Sequence, residues 1–172
     1  MCPQNYIGAE HINREGGFDL SEPRYVPEFF FKKLTKGKIS PNDILVVKDG
    51  ATTGKTAIVT EGFPYKDVCI NEHVFRIVAK DNIDSTYLFT VLFSSIGQRQ
   101  INRIISGAAQ KGIVLETISE ILVPIPPVPI QQKIAEEVES RREKAKILRQ
   151  EAKEIIQQAG EKVEKMILVG TS

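Results

Sequence analysis

The sequence predicts an α+β protein, a mixed α/β domain followed by one long C-terminal coiled-coil helix. Three observations carry this prediction. Short runs of β-branched residues share the first part of the chain with a helical apolar stripe, and four prolines between Pro124 and Pro129 then interrupt the pattern. After them comes a proline-free segment with apolar residues at heptad spacing. The predicted boundaries are residues 1–123 for the domain, 124–129 for the proline-rich junction and 130–168 for the helix.

The domain is expected to contain several short strands. Residues 42–49 and 56–61 are rich in β-branched side chains, which favour strands. Apolar and polar side chains recur at every second position of residues 69–79. This pattern predicts one further strand, each of whose faces carries both kinds of side chain. Residues 116–125 predict a short strand at the end of the domain.

Residues 84–105 predict helical structure between these strands. Ser85 is the expected N-terminal cap, and Gly97 is a point at which the helix can divide in two. The apolar stripe at helical spacing consists of Tyr87, Leu88, Val91, Leu92 and Ile96.

The composition is ordinary for a globular protein. The 172 residues are 41% hydrophobic and 26% charged, which suits one domain with a core plus an appendage. No apolar run reaches the ~20 residues that a membrane span needs, and no secretory signal is visible at the N-terminus. We therefore expect a cytoplasmic protein without a membrane partner.

The sequence offers no catalytic constellation. Cys2 and Cys69 form no CxxC motif or Cys/His cluster, and His11 and His73 lack metal-ligand spacing. No nucleophile has a recognisable base beside it. We therefore expect no catalytic residue, no metal and no cofactor, and we interpret His73 as a structural histidine.

The stretch DGATTGKT, residues 49–56, looks like a phosphate-binding loop. The motif G-x-x-x-x-G-K-[ST] needs a glycine where this chain has Asp49. The β-branched run that follows predicts a strand, whereas phosphate binding needs a helix N-terminus. The stretch therefore predicts a hairpin turn bounded by Gly50 and Gly54. Lys48 and Lys55 would lie at its sides, and Thr52 and Thr53 at its tip.

Positive charge is concentrated in two segments. Residues 32–55 hold six lysines against two aspartates, and residues 98–112 hold three basic residues and no acid. This uneven distribution is typical of a surface that faces a polyanion. The alternative is a set of solvated lysines without a common partner.

The C-terminal segment carries an apolar stripe that is too narrow and too long for its own helix to bury. Arg141 occupies one position of the seam. We therefore expect pairing with a partner helix, and the alternative is a long surface helix folded back on the domain. The stripe consists of Ile134, Val138, Ala145, Leu148, Ala152, Ile155 and Ala159.

Four stretches together resemble the DNA-specificity subunit of type I restriction-modification systems. They are SPNDILVVKDGATTGKTAIV (40–59), INEHVFRI (70–77), SGAAQKGI (106–113) and VPIPPVPIQQKIAEEVE (123–139). The resemblance implies a target recognition domain that reads one half of a bipartite double-stranded DNA site and has no catalytic activity. It also implies methyltransferase subunits as partners and, in restricting systems, a restriction subunit. The helices of this family act as a ruler between the two half-sites.

The chain departs from the family pattern in two respects. A full subunit has two recognition domains and two helices, and its domains usually have a further segment before the residues that match YIGAEHI (6–12). We therefore expect a half subunit or a fragment, whose helix pairs antiparallel with a second copy or with another half subunit. The alternative is a degenerate or truncated specificity domain that serves as a coiled-coil interaction module.

The charge pattern and the resemblance together predict a DNA-facing surface. Basic side chains would bind phosphates, and short polar groups would contact base edges. For residues 107–112 a plain connection between a helix and a strand is the alternative. The predicted DNA-binding residues are Lys32, Lys33, Lys48, Thr52, Thr53, Lys55, Arg99, Arg103, Gln110 and Lys111.

Overall fold

The computed structural model describes residues 3–107 and 112–169. The chain divides into two units, residues 1–132 and residues 133–172. The strands are β1 (Gln4–Ile7), β2 (Arg24–Val26), β3 (Ile44–Val47), β4 (Thr56–Ile58), β5 (Val68–Ile70) and β6 (Val74–Ile77). The α-helices are α1 (Glu28–Lys33), α2 (Ser85–Phe93), α3 (Ser95–Gly107), α4 (Leu115–Ile118) and α5 (Val128–Val169), and a 3-10 turn spans Ala9–His11. The predicted α+β class with a long C-terminal helix is confirmed.

The strands form two three-stranded sheets. In one sheet the order is β2-β1-β5, with β1 antiparallel to β2 and parallel to β5. In the other sheet the order is β4-β3-β6, and both pairings are antiparallel. The strands predicted within residues 42–49 and 56–61 are confirmed as β3 and β4.

Strand β3 lies at the centre of the core. On one side Leu45 and Val47 belong to an apolar cluster that also holds Ile7 of β1 and Val68 of β5. On the other side β3 packs against α2 and α3, because successive side chains of a strand point to opposite faces. All four residues of β3 are buried, which explains why its sequence is continuously apolar.

The single strand expected at residues 69–79 was wrong. The segment forms β5 and β6, which belong to different sheets and are separated by a turn at Asn71. The Asn71 side chain accepts a hydrogen bond from the backbone N–H of His73, and the Asn71 carbonyl accepts one from the N–H of Val74. Asparagine favours such turns because its side chain replaces a backbone partner.

The strand expected at residues 116–125 was also wrong. The segment begins with the short helix α4 and continues without regular structure. The backbone N–H of Leu122 donates to the Gln100 side chain, and the Gln100 amide donates to the Leu122 carbonyl. A side-chain amide therefore occupies the position that a neighbouring strand would take.

The helical prediction for residues 84–105 is confirmed in type but not in its details. Asp84, not Ser85, is the cap, since its carboxylate accepts the N–H of Tyr87. The helices divide at Ser94, not at Gly97. Gly97 lies in the first turn of α3, where a Cβ atom would collide with the carbonyl oxygens of Val91 and Leu92.

The proline-rich segment is tied to the domain by a buried glutamine. The Gln131 side chain is fully buried in the first turn of α5. Its amide donates to the carbonyls of Asn82 and Pro126, and its oxygen accepts the N–H of Asp84. The Tyr87 hydroxyl donates to the Pro124 carbonyl. Pro129 lies in the first turn of the helix, where its missing N–H costs no hydrogen bond.

The second unit consists of the remainder of α5. The helix has 42 residues, which corresponds to about 63 Å at the rise of an α-helix. In the single chain several apolar side chains of the predicted stripe lie in solvent, with Leu148 54% and Ile155 66% exposed. Among the described residues, no helix has an apolar stretch long enough to cross a bilayer.

We predict that Gln131→Leu lowers the free energy of unfolding of the first unit by roughly 3 kcal/mol, because one buried N–H and two carbonyls lose their partner. Gln132→Leu is the matched control, since the neighbouring glutamine is exposed. Urea denaturation followed by tyrosine fluorescence measures the difference, because all the tyrosines precede residue 132. Equal stability of the two variants would contradict the assigned role of Gln131.

Candidate nucleic-acid interface

The turn between β3 and β4 is a compact loop held by its own backbone. Gly50 and Gly54 both have a φ of +88°, a conformation that side-chain-bearing residues rarely adopt. The N–H of Thr53 donates to the Gly50 carbonyl, and that of Gly54 donates to the Val47 carbonyl. The predicted hairpin is therefore confirmed, and no helix follows the turn that could hold a nucleotide phosphate.

Helix α3 packs directly on this turn. A Cβ atom at Gly54 would lie 2.8 Å from Cγ2 of Ile101. The Gln98 amide of α3 donates to the Gly54 carbonyl at 3.2 Å and to the Leu92 carbonyl at 3.0 Å. The two segments that were predicted separately from their charge therefore lie side by side.

The chain returns to the hairpin after α3. Asp49 and Gly112 form an isolated antiparallel bridge, and the N–H of Ile113 donates to the Lys48 carbonyl at 2.6 Å. Gln110 and Lys111, two of the predicted DNA-binding residues, lie outside the described residues.

Two predicted arginines lie on the outer face of α3. Ile101 is buried on the inner face of the helix, whereas Arg99 and Arg103 are exposed. Residues four apart lie on the same side of a helix, so the two guanidinium groups share one face. Neither has an ion pair or hydrogen-bond partner within the part of the chain that the structure describes, and both charges are available to an external anion.

The hairpin lysines are already engaged with the protein. The Lys55 ammonium is half-buried and donates to the Ile12 carbonyl at 3.0 Å. The Lys48 ammonium lies 5.9 Å from the centre of the Phe75 ring, within the range of a cation–π contact. Their predicted contact with DNA phosphate would have to compete with these interactions or coexist with them.

The two threonines of the turn differ in their hydrogen bonding. The Thr53 hydroxyl donates to the Gly50 carbonyl at 2.7 Å, which leaves it only as an acceptor. The structure describes no partner for the Thr52 hydroxyl, so that it can still both donate and accept. Thr52 is therefore the more versatile of the two for contact with a base edge.

Lys32 and Lys33 lie in α1, which follows β2 at the edge of the other sheet. Lys32 forms an ion pair with Glu28, and the Lys33 ammonium lies 6.0 Å from the centre of the Phe29 ring. Within the described ranges no hydrogen bond or ion pair joins α1 to the hairpin turn. The structure therefore does not link these two lysines to the other predicted residues.

An acidic contact at the base of the turn did not emerge from the sequence. Nδ1 of His73 lies 2.6 Å from Oδ1 of Asp49, and its other ring nitrogen lies 3.5 Å from the Glu72 carboxylate. One carboxylate oxygen of Asp49, the residue that follows Lys48, is therefore hydrogen-bonded to the imidazole of His73. His11, in contrast, is buried and accepts the N–H of Gly8 at Nδ1, which leaves Nε2 to donate to the Glu22 carbonyl.

A cleft of about 390 Å³ opens beside the turn. Seven of the nine lining residues have polar side chains, among them two cations and no carboxylate, and the ring of Phe93 also lines the cleft. Six of its nine residues were not among the predicted ones, and four of these six come from a separate loop and from the ends of two helices. The lining residues are Asn13, Arg14, Ala51, Thr52, Thr53, Lys55, Thr56, Phe93 and Gln98.

Groups with a clearly shifted pKa lie outside this lining. Burial raises the pKa of the Cys69 thiol, which therefore stays protonated. Hydrogen bonds from the Ser21 hydroxyl and N–H lower the pKa of Asp19. Among the described residues, no three His, Cys, Asp or Glu side chains are grouped as metal ligands. The charged side chains in the lining of the cleft are those of Arg14 and Lys55.

The chain is similar to known proteins in its sequence pattern and in its fold. The family model described as the type I restriction modification DNA specificity domain matches residues 5–157. A comparison with curated proteins found no match.

Two solved structures have the same fold. One is described as the crystal structure of the HsdS subunit from Thermoanaerobacter tengcongensis, and the match has 16% identity and a TM-score of 0.63. The other belongs to work on complex assembly and conformational transition of the type I R-M system, with 16% identity and a TM-score of 0.64. Each match covers 87% of this chain and 38% of the other chain, so the chain spans well under half the length of these proteins.

We predict that Gly54→Ala lowers the free energy of unfolding by about 3 kcal/mol, the sum of backbone strain and overpacking against Ile101. Gly50→Ala is the matched control, because it has the same φ but no atom within 4 Å of its Cβ position. We expect it to cost only about 1 kcal/mol. Equal losses in chemical denaturation would mean that α3 does not press on the turn.

Proposed function

The chain belongs to the type I restriction modification DNA specificity domain family, and on this basis we propose that it reads one half of a bipartite DNA site. One observation of the structure supports the proposal most directly. The hairpin turn and α3 are packed together, with the unpaired guanidinium groups of Arg99 and Arg103 on the outer face of that helix. In this proposal the chain recognises DNA and catalyses no reaction.

The two kinds of polar group at this surface would have different tasks. Arg99 and Arg103 would bind phosphates, which fixes the position of the domain on the duplex without selecting a sequence. Thr52, at the tip of a turn that its glycines and α3 hold in shape, would contact base edges. A preformed turn favours discrimination, because little ordering is needed upon binding.

The long helix supports a two-fold assembly. Its apolar stripe is largely exposed in the single chain, and a helix of this length gains stability by pairing with another. We propose that α5 pairs antiparallel with α5 of a second copy or with another half subunit, as the family resemblance implies. A two-fold dimer would present two identical recognition domains and would therefore bind an inverted, interrupted site.

The further partners come from the family relationship. A specificity domain needs a methyltransferase subunit to act on the DNA that it selects, and we propose such a subunit, with a restriction subunit in restricting systems, as the partner. The second candidate function is an interaction module whose coiled coil persists without DNA recognition. The exposed stripe of α5 favours that function equally, so DNA binding is the property that separates the two.

Selection from a library of random duplexes tests the proposal. The chain is incubated with the library at low salt, the bound fraction is amplified, and the cycle is repeated at rising salt. We expect enrichment of an interrupted inverted repeat. Enrichment of one continuous half-site would support DNA recognition but contradict binding as a two-fold dimer. If no sequence is enriched at any salt concentration, the result favours the interaction module.

We predict that Arg99→Gln and Arg103→Gln each weaken binding to cognate and random duplexes alike. Each lost phosphate contact lowers the slope of log K against log salt by about 0.9. Arg24→Gln is the control, because Arg24 is an exposed arginine on β2, in the other sheet. Fluorescence anisotropy over a series of salt concentrations measures both quantities. If the slope of log K against log salt stays unchanged in both α3 variants, the DNA does not contact the outer face of α3.

We predict that Leu148→Glu dissociates the dimer, because it places a charge in the apolar seam of α5. Ile147→Glu is the matched control, since Ile147 is 50% exposed and lies outside the stripe. Sedimentation velocity should show the Leu148 variant as a monomer at concentrations where the control stays dimeric. If the unmodified chain is a monomer at every concentration, alone and with DNA, the pairing proposal is wrong.

A further inference from the structure

We infer that the cleft beside the hairpin turn binds a phosphate of the DNA backbone, with Arg14 as its charged ligand. The inference rests on the proposed function and adds a third element, the loop at residues 13–17, to the DNA-contacting surface. Arg14 was not among the residues predicted from the sequence.

The lining of the cleft is suited to an anion. Arg14 and Lys55 supply two positive charges, and none of the lining residues carries a carboxylate. Arg14 is exposed and has no hydrogen-bond or ion-pair partner in the described ranges of the chain. A guanidinium group can bind two phosphate oxygens at once, which makes arginine the preferred residue for phosphate recognition.

The loop that carries Arg14 is held in shape by its own hydrogen bonds. The Asn13 side-chain oxygen accepts the backbone N–H groups of Glu15 and Gly17, both at 3.0 Å. The N–H of Asn13 donates to the Gly17 carbonyl. Asn13 also lines the cleft, and because its side-chain oxygen already accepts two hydrogen bonds, its NH2 group is the part that can still bind a ligand, as a donor.

Lys55 connects this loop to the turn. Its ammonium donates to the carbonyl of Ile12, the residue just before Asn13. This hydrogen bond therefore joins two of the segments that line the cleft, the hairpin turn and the loop at residues 13–17. Lys55 has two further N–H groups, since an ammonium carries three.

The opposite wall provides backbone donors. Within the turn, the N–H groups of Thr53, Gly54 and Lys55 donate to carbonyls of the same turn or of β3. The structure describes no acceptor for the N–H groups of Ala51 and Thr52. Backbone N–H groups in a tight turn form small concave sites that favour anions.

The shape of the site also favours a backbone phosphate over a base edge. The sugar–phosphate backbone projects from a duplex and fits a concave surface, whereas base edges lie within grooves and need a projecting element. The turn that forms one wall of the cleft supplies that element. A phosphate held between Arg14 and Ala51 would therefore place the tip of the turn beside the adjacent groove.

A free phosphate or a nucleotide has the same chemistry as a backbone phosphate. The first turn of α3 borders the cleft through Gln98, but the N–H groups of Gly97 and Gln98 donate to Ser94 and are not free for a phosphate, as they are in a phosphate-binding loop. We therefore assign the site to a phosphodiester of the duplex, and the experiment has separate arms for the two sources.

The first arm compares Arg14→Gln with Arg24→Gln in the full chain. Both changes remove one exposed positive charge. We expect Arg14→Gln to weaken binding to a random duplex about tenfold at low salt and to lower the slope of log K against log salt by about 0.9. We expect Arg24→Gln to bind as the unmodified chain does. Equal behaviour of the two variants would overturn the inference.

The second arm follows the backbone amides of Ala51, Thr52 and Asn13 by NMR during titration with a random duplex, and separately with ATP and with inorganic phosphate. We expect the duplex to shift these amides at concentrations where ATP and phosphate leave them unchanged. If ATP or phosphate shifts them equally and displaces the duplex, the site belongs to a free ligand, and the assignment to DNA is wrong.

These outcomes separate the inference from the proposed function. Duplex binding with unmoved amides at the cleft would overturn the inference and leave the proposed function intact. Absence of any duplex binding by the unmodified chain, even at low salt, would overturn both.

Discussion

The burial of β3 on both faces is the constraint on which the rest of the domain depends. Its four residues are covered by the strand clusters on one side and by α2 and α3 on the other. Helix α3 covers one face of β3. The polar turn that follows β3 is therefore in contact with α3 where it emerges from the core. The contact between Gly54 and Ile101 is the result, and it brings the hairpin turn and α3, which are distant in the sequence, side by side.

The basic side chains of the hairpin turn, of α3 and of the loop at residues 13–17 divide into engaged and available groups. The ammonium groups of Lys48 and Lys55 contact the protein itself and help to shape the turn, whereas the guanidinium groups of Arg14, Arg99 and Arg103 have no partner in the described residues. The same distinction applies to the two threonines, of which only Thr52 keeps its hydroxyl proton available. Counting charges along the sequence cannot make this distinction, because a lysine counts equally whether its ammonium is bonded or not.

The sequence predicts features that depend on residues close together in the chain, and it misses features that depend on contacts between distant residues. The β3–β4 hairpin and the helical character of residues 84–105 depend on neighbouring residues and were predicted correctly. The errors at residues 69–79 and 116–125 arose at side-chain amides: that of Asn71 closes a turn between two strands, and that of Gln100 pairs with the backbone of Leu122. Arg14 was missed because Glu10 and Glu15 flank it, which cancels the local charge. Only the fold brings it to the turn, through the hydrogen bond between Lys55 and Ile12.

The turn shows why a phosphate-loop motif can be present in part and still have a different role. In a phosphate-binding loop the first glycine lets the backbone curl around the ligand, and a helix dipole favours its charge. Here Asp49 takes that position, and its carboxylate is bonded to His73 at the base of the turn. The glycines instead allow left-handed backbone at Gly50 and close packing at Gly54. An anion at this turn would then be bound from outside by side chains such as Arg14 and by the N–H groups at the tip. Such an open arrangement suits a polymer that lies across the surface better than a small ligand that must be enclosed.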